Sequence, residues 1–183
     1  MKLLILDRDG VINYESRAYI KSPAEWLPLP GSLEAIAKFT AAGFTIVIAT
    51  NQSGVGRNYF SAQTLEQIHA KLHNAVKAVG GDIYKIYFCP HLPSDDCNCR
   101  KPKPGMFAQI AHDLQIDFAT VTPIFVGDSL RDMELGLATH CHTFLVTGEG
   151  GDGQETLQKL SQQQKKQINI VENLAAVATR LLA

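Results

Sequence analysis

Residues 1–10, MKLLILDRDG, decide how the rest of the chain is read. Leu3 to Leu6 form an unbroken apolar run, the pattern of a short strand buried on both faces, and the run stops at Asp7. Two later runs stop in the same way. Thr45 to Ala49 hands over to Thr50 and Asn51, and Ile124 to Val126 hands over through Gly127 to Asp128. Helical periodicity covers Ser32 to Ala42, Ala62 to Val79, Pro104 to Leu114 and Ser129 to Ala138, and further strands are predicted over Ile83 to Phe88 and Thr143 to Val146. This alternation predicts an α/β fold: a Rossmann-like, doubly wound, mainly parallel sheet with right-handed crossovers. Ligands of such sheets bind beyond the carboxyl ends of the strands, so Asp7, Thr50, Asn51 and Asp128 are predicted to meet in one site.

Local chemistry marks the element ends. Pro30-Gly31-Ser32 reads as a turn followed by an N-cap serine, and Ala42-Gly43 as a glycine stop. Gly148 to Gly153 reads as an acidic glycine-rich loop, and Gln162 to Gln167 as a solvated helix face or a mobile link. With 183 residues, 45% of them hydrophobic, and no repeat, one domain over residues 1–183 is expected. A net charge of −1 offers no chain-wide attraction for nucleic acid or acidic membranes. The apolar run after Lys2 is too short for a signal peptide, nothing approaches the roughly 20 apolar residues of a bilayer span, and no lipidation pattern is seen. A soluble, cytoplasmic protein is expected, monomeric because no stretch reads as an interface.

Asp7 and Asp9 stand two apart in DRDGVIN, so in extended backbone their side chains share one face and need a cation to relieve their repulsion. One such carboxylate can attack phosphorus to give an acyl phosphate while the other protonates the leaving oxygen and then activates water. Taken alone, DRDG reads more readily as a turn; the other strand ends tip the reading toward catalysis. In ATNQSGVGR, Thr50, Asn51 and Ser53 supply hydroxyl and amide donors, Gly54 and Gly56 let backbone approach a ligand, and Arg57 can grip an anion. Asp128 in VGDSLRDMELG reads either as a helix N-cap or as an oxygen ligand for Mg2+ shared with Asp7. Asp132, one helical turn on, would bind through water or support its neighbours. Arg100 and Lys101, in a run stiffened by Pro102 and Pro104, supply the positive charge that phosphoryl transfer requires.

Three of the four cysteines lie close together in residues 89–99, CPHLPSDDCNC, where Cys89, His91, Cys97 and Cys99 match a closed tetrahedral Zn2+ site. Without an open coordination position the zinc is predicted to be structural, pinning the loop that delivers Arg100 and Lys101. Cys141 stands apart and is predicted to be a buried thiol. His69 and His73, four apart on a helix, have the spacing to chelate a metal but read more readily as a solvent-facing pair, and His112, His140 and His142 carry no pattern. Trp26 and Tyr19 read as core or as the wall of a substrate pocket.

DRDG, Thr50, Lys101 and GDSLRD together resemble the four motifs of the haloacid dehalogenase superfamily. TNQSG with CPH and CNCRKP is similar to its zinc-containing branch, which holds D-glycero-D-manno-heptose 1,7-bisphosphate phosphatases and histidinol-phosphate phosphatases. The resemblance runs from about Leu3 to Val146 and implies a Mg2+-dependent phosphomonoesterase without a large cap domain. Carried over, it implies Asp7 as nucleophile, Asp9 as acid and base, and Thr50 and Lys101 steadying the phosphoryl group. Mg2+ would be held by the Asp7 carboxylate, the Asp9 backbone carbonyl and Asp128. Substrate contacts would come from Glu15, Ser16, Arg17 and Tyr19, from Asn51, Gln52 and Ser53, and from Arg100. DRDGVIN with TNQSG is closer to the heptose enzymes, whereas the compact cysteine loop looks equally like the histidinol type. The implied reaction is removal of the C7 phosphate of the heptose bisphosphate through an aspartyl phosphate, in lipopolysaccharide or other surface-polysaccharide synthesis, with histidinol phosphate as the alternative. From the residues alone, a zinc-stabilised phosphate-binding module stays open. A nucleic-acid end-processing phosphatase runs against the balanced charge and the missing basic stripe.

Overall fold

A computed structural model describes all 183 residues. Its strands are β1 (Lys2–Leu6), β2 (Phe44–Asn51), β3 (Lys85–Cys89), β4 (Ile124–Gly127), β5 (His142–Val146) and β6 (Asn169–Val171). They form one sheet in the order β3-β2-β1-β4-β5-β6, and every neighbouring pair is parallel. The helices are α1 (Ser32–Ala41), the single turn α2 (Ser53–Gly56), α3 (Ala62–Ala78), α4 (Gly105–Leu114), α5 (Leu130–Ala138), α6 (Gly153–Lys159), α7 (Gln162–Gln167) and α8 (Leu174–Leu182). The predicted doubly wound sheet is therefore the one that forms. Strand order runs outward from β1 to β3 on one side and from β4 to β6 on the other, so the direction switches between β1 and β4. A crevice opens at such a switch. The Asp7 N–H donates to the Val126 carbonyl at 2.9 Å, which carries the β1–β4 ladder to the site and sets the two strand ends side by side.

Alternation along the central strands builds the two layers. Leu4, Leu6, Ile46 and Ile48 pack with Ile36 and Phe39 of α1, Ile68 and Leu72 of α3, and Val177 of α8. Leu3, Ile5, Val47, Ala49 and Phe125 pack with Met106, Phe107 and Ile110 of α4 and Leu135 of α5. Each buried aliphatic side chain contributes roughly 1.5–3 kcal/mol, and β1 contributes to both layers.

Several local expectations are corrected. Ser32 does not cap α1: Gly31 is the N-cap with φ 76°, and the Ser32 hydroxyl points back to the carbonyls of Ile12 (2.7 Å) and Leu29 (2.8 Å), tying the segment after β1 to the helix. Asp128 is not an N-cap either. Ser129 fills that position in a capping box with Asp132, which leaves Asp128 turned toward the crevice. β3 starts at Lys85 rather than Ile83: Ile83 lies in the connection between α3 and the strand, and its carbonyl meets the His73 ring at 3.3 Å. Cys141 is only partly buried, with its sulfur 3.4 Å from the Thr139 hydroxyl. Beyond Val146 the chain adds α6, β6 and α8, none of which the sequence reading placed. Gln162–Gln167 is a solvated helix capped by Ser161 and Gln164. No helix is long and apolar enough to cross a membrane.

Candidate active site

Asp7 follows β1, Asp128 follows β4, and Asp132 lies in the first turn of α5; oxygens of the three carboxylates lie within 4.8 Å of one another. One cation reaches into this cluster. Lys101 Nζ lies 2.9 Å from Asp7 and 2.7 Å from Asp132, with the lysine side chain 2% exposed. Burial pushes Asp132 up, but the ion pair and hydrogen bonds from Lys101, with those from Ser129, outweigh it and hold its carboxyl below the usual range. Asp7 is pushed up to about 7, by burial first and by Asp132 and Asp9 next, with Lys101 opposing. Burial, then Asp7 and Asp132, raise Asp128 well above the usual range. Three buried carboxylates share one lysine, so negative charge is left over at Asp7 and Asp128, whose values stay raised, and their oxygens fit a hard divalent cation such as Mg2+.

That imbalance predicts an unusual pH dependence for the metal-free protein. Between the ordinary aspartate value of about 3.9 and the folded Asp7 value of about 7, the folded state holds more protons than the unfolded one. Stability therefore falls as pH rises through this window, and Asp128 acts with the same sign. The Asp132 contribution, with a lowered value, is lost only below the ordinary carboxylate range, and that of Lys101, with a raised value, only above the ordinary lysine range. Thermal melts from pH 5 to 8 with chelator should show a falling midpoint, and the increment from Mg2+ should grow with pH. A midpoint flat in pH and indifferent to Mg2+ would contradict the crowding of Asp7 and Asp128.

The backbone around Asp128 is shaped for close approach. Gly10 has φ 76°, and a Cβ there would overlap the Asp128 carboxylate. Asp128 Oδ2 in turn accepts from the Asp152 N–H at 2.7 Å, so the glycine-rich loop after β5 closes over this carboxylate.

Asp9 is held differently. Its carboxylate accepts from Arg8 Nε (3.0 Å) and Arg8 Nη2 (2.9 and 3.1 Å), from Asn13 Nδ2 (2.8 Å) and from Gln52 Nε2 (2.9 Å). Gln52 also donates to the buried Thr50 hydroxyl at 3.0 Å. Asn51 spans the peptide of Lys101: its Oδ1 accepts from the Lys101 N–H at 3.0 Å and its Nδ2 donates to the Lys101 carbonyl at 3.2 Å. The end of β2 thus fixes both Asp9 and Lys101.

Cys89, His91, Cys97 and Cys99 gather beside this lysine, all four ligand atoms within 4.8 Å of one another. Adjacent separations are 3.6 Å for Cys89 to His91 and to Cys97, 3.2 Å for His91 to Cys99, and 3.5 Å for Cys99 to Cys97. A tetrahedron with zinc–ligand bonds of about 2.0–2.3 Å has edges of roughly 3.3–3.8 Å, so the set fits Zn2+ with no position left open.

A cleft of about 390 Å3 opens beside the carboxylates and is lined by every predicted substrate contact: Glu15, Ser16, Arg17, Tyr19, Asn51, Gln52, Ser53 and Arg100. Arg8, Arg57 and Arg131 line it too. A smaller hollow of about 60 Å3, holding Asp7, Thr50, Lys101 and Asp128, joins it through the shared Asp9, Glu15, Asn51 and Arg131. Tyr19 is a cleft wall, resting edge-on against Tyr59 at 5.0 Å, whereas Trp26 is core. Lys71 of α3 ties down the loop between them, donating to the carbonyls of Pro23 (2.7 Å) and Trp26 (2.9 Å).

Comparison with known proteins agrees with this geometry. The family model described as polynucleotide kinase 3 phosphatase matches residues 2–136, and a HAD-hydrolase-like model matches residues 98–177. A protein of Bordetella bronchiseptica named D-glycero-beta-D-manno-heptose-1,7-bisphosphate 7-phosphatase is 48% identical, over 100% of this chain and 98% of its own. One of the same name from Pseudomonas putida is 49% identical over 100% of both. The crystal structure of the D,D-heptose 1,7-bisphosphate phosphatase from B. bronchiseptica, complexed with magnesium and phosphate, superposes with TM-score 0.91 at 47% identity, covering 100% of this chain and 98% of that one. The chain belongs to the haloacid-dehalogenase-like hydrolases.

Within this HAD-like phosphatase, the structure gathers all the predicted site residues around one connected cleft or in the cysteine cluster beside it. Two expectations about histidines fail. His69 is not solvent-facing but buried against Arg8, with Nη1 and Nε2 3.2 Å apart, and His73 is partly buried against the Ile83 carbonyl. Arg131 was missed altogether, although its place two residues after the Ser129 cap of α5 puts it at the mouth of the hollow.

Proposed function

We propose that this phosphatase removes the C7 phosphate of D-glycero-D-manno-heptose 1,7-bisphosphate, in the synthesis of lipopolysaccharide or another surface polysaccharide. The observation that carries the reading is the pairing of the carboxylate–lysine hollow with a cleft wall bearing Arg17, Arg57, Arg100 and Arg131. None of these four guanidiniums is paired with a carboxylate at salt-bridge distance. One phosphate would sit in the hollow and the second against that wall, where guanidinium forks suit phosphate. The full-length similarity to proteins named for this substrate supports the same reading. Histidinol phosphate has one phosphate and a cationic end, which four arginines would repel. The polynucleotide reading suggested by the family model's description finds little support in a net charge of −1.

In the reaction, an Asp7 oxygen attacks phosphorus and Asp9 delivers a proton to the departing C7 oxygen, leaving an aspartyl phosphate. Asp9 then takes a proton from the water that hydrolyses it. Lys101 steadies phosphoryl oxygens from beside Asp7, and Thr50 supplies a hydroxyl at the floor. The Asp7 carboxylate, the Asp9 backbone carbonyl and Asp128 would hold Mg2+, which when bound would neutralise charge on the phosphoryl oxygens. Cys89, His91, Cys97 and Cys99 would hold Zn2+, which would fix the loop that carries Arg100 and Lys101. Residues 1–183 are read as one domain with its zinc loop at 89–99, monomeric and cytoplasmic, without nucleic-acid or membrane partners. A Mg2+-dependent panel of heptose 1,7-bisphosphate, histidinol phosphate and a 3′-phosphorylated oligonucleotide tests the substrate. The heptose should turn over fastest, and faster hydrolysis of either competitor would overturn the assignment.

A further inference from the structure

We propose that His69 is a positioning residue for the general acid, locking the Arg8 guanidinium that holds Asp9; this rests on the acid/base role proposed for Asp9. Arg8 is 1% exposed, so each of its donors needs a partner inside the protein. Nε and Nη2 go to the Asp9 carboxylate, and Nη1 lies 3.2 Å from His69 Nε2. Arginine only donates, so Nε2 accepts and the ring is neutral with its proton on Nδ1. Burial and then the Arg8 charge push the histidine down to about 3, which keeps it an acceptor throughout the working range.

The ring is held firmly. Its helix, α3, buries Leu65, Ile68, Leu72 and Val76, and the ring meets Phe88 of β3 edge-on at 5.8 Å. A rigid line therefore runs from the core through His69 and Arg8 to the Asp9 carboxylate. Without the acceptor, Nη1 would be buried and unpaired, and the guanidinium would turn in search of a partner. Asn13 and Gln52 would still touch Asp9 but would not fix its plane.

The consequence is specific to one step. As the Asp7 oxygen bonds to phosphorus and the bond to the alkyl oxygen breaks, the proton from Asp9 goes to that alkyl oxygen. A p-nitrophenolate leaves as a stable anion and needs no such proton. Misplacing Asp9 should thus harm alkyl phosphates and spare aryl ones.

The test compares kcat/KM, which reports steps up to leaving-group departure, on heptose 1,7-bisphosphate and on p-nitrophenyl phosphate using the same holoenzyme preparation. The ratio is insensitive to any unfolded fraction. His69→Met should lose about 10-fold or more on the sugar phosphate and no more than about 2-fold on the aryl phosphate. His69→Gln, similar in size but with an acceptor oxygen, should recover most of the loss. Equal losses on both substrates for His69→Met, or a His69→Gln variant as selective as His69→Met, would overturn the role of His69 if Asp9→Asn remains selective. Equal losses for Asp9→Asn would instead remove the acid role on which the proposal stands.

Discussion

Asp7→Asn should reduce phosphate release by at least about 10,000-fold while leaving the protein folded, and in chelator more stable than the wild type. The two effects have one cause. The Asp7 carboxylate is buried among Asp9, Asp128 and Asp132 and is pushed up to about 7, so ionising it costs folding stability at neutral pH. Asparagine keeps the shape and removes the charge, and with it the proposed nucleophile. Phosphate assays and thermal melts of the variant with and without Mg2+ check both halves. A variant that hydrolyses phosphate esters at the normal rate would favour the phosphate-binding module over the enzyme.

Lys101→Met should have the largest effect on stability. Lys101 is the only lysine or arginine in ion-pair contact with Asp7 or Asp132, and its own side chain is 2% exposed. Removing it strands buried carboxylates, a loss of roughly 3–5 kcal/mol at neutral pH, along with roughly 100- to 1,000-fold in kcat. The sign with pH follows. Lys101 is what outweighs burial at Asp132, so without it the Asp132 value rises above its unfolded one. The deficit should therefore shrink as pH falls and that carboxyl takes up a proton. Denaturant melts at pH 5 and pH 8 check this. Lys103→Met, which breaks only the exposed pair with Asp96, should change neither stability nor turnover. A Lys101→Met protein as stable as the wild type at pH 8 would contradict the electrostatic account of the cluster.

The strand ends were legible because a parallel strand buried on both faces must be apolar until it leaves the sheet. Asp7, Thr50 and Asp128 therefore stand out as the first polar residues after such runs. The cluster of Cys89, His91, Cys97 and Cys99 was legible because soft ligands at close spacing have few other uses than holding a metal. His69 was misread because a four-residue spacing says that two helical residues share a side, not which side is buried. The signal was nevertheless present: Leu65, Ile68, Leu72 and Val76 define the apolar stripe of α3, and His69 lies on it. The same stripe logic applies to α8, where Leu174, Val177, Ala178 and Leu181 follow a helical period behind the Asn173 cap, obscured by the polar stretch before it. Ser32 was misassigned because Gly31, in a left-handed conformation, took the cap position and freed the hydroxyl for longer-range bonds. The glycine-rich loop could not be interpreted from its composition, since its contact with Asp128 exists only once β5 and β4 are side by side.

The central claim is that Asp7 carries the phosphoryl group. Its most direct test is acid quench of the enzyme during turnover, borohydride reduction of any acyl phosphate to homoserine, and mass mapping of the peptides that carry Asp7, Asp9 and Asp128. Homoserine at position 7, formed only when substrate and Mg2+ are both present, is the predicted result. Reduction at Asp9 or Asp128 instead, or no acyl phosphate during rapid turnover, would contradict it.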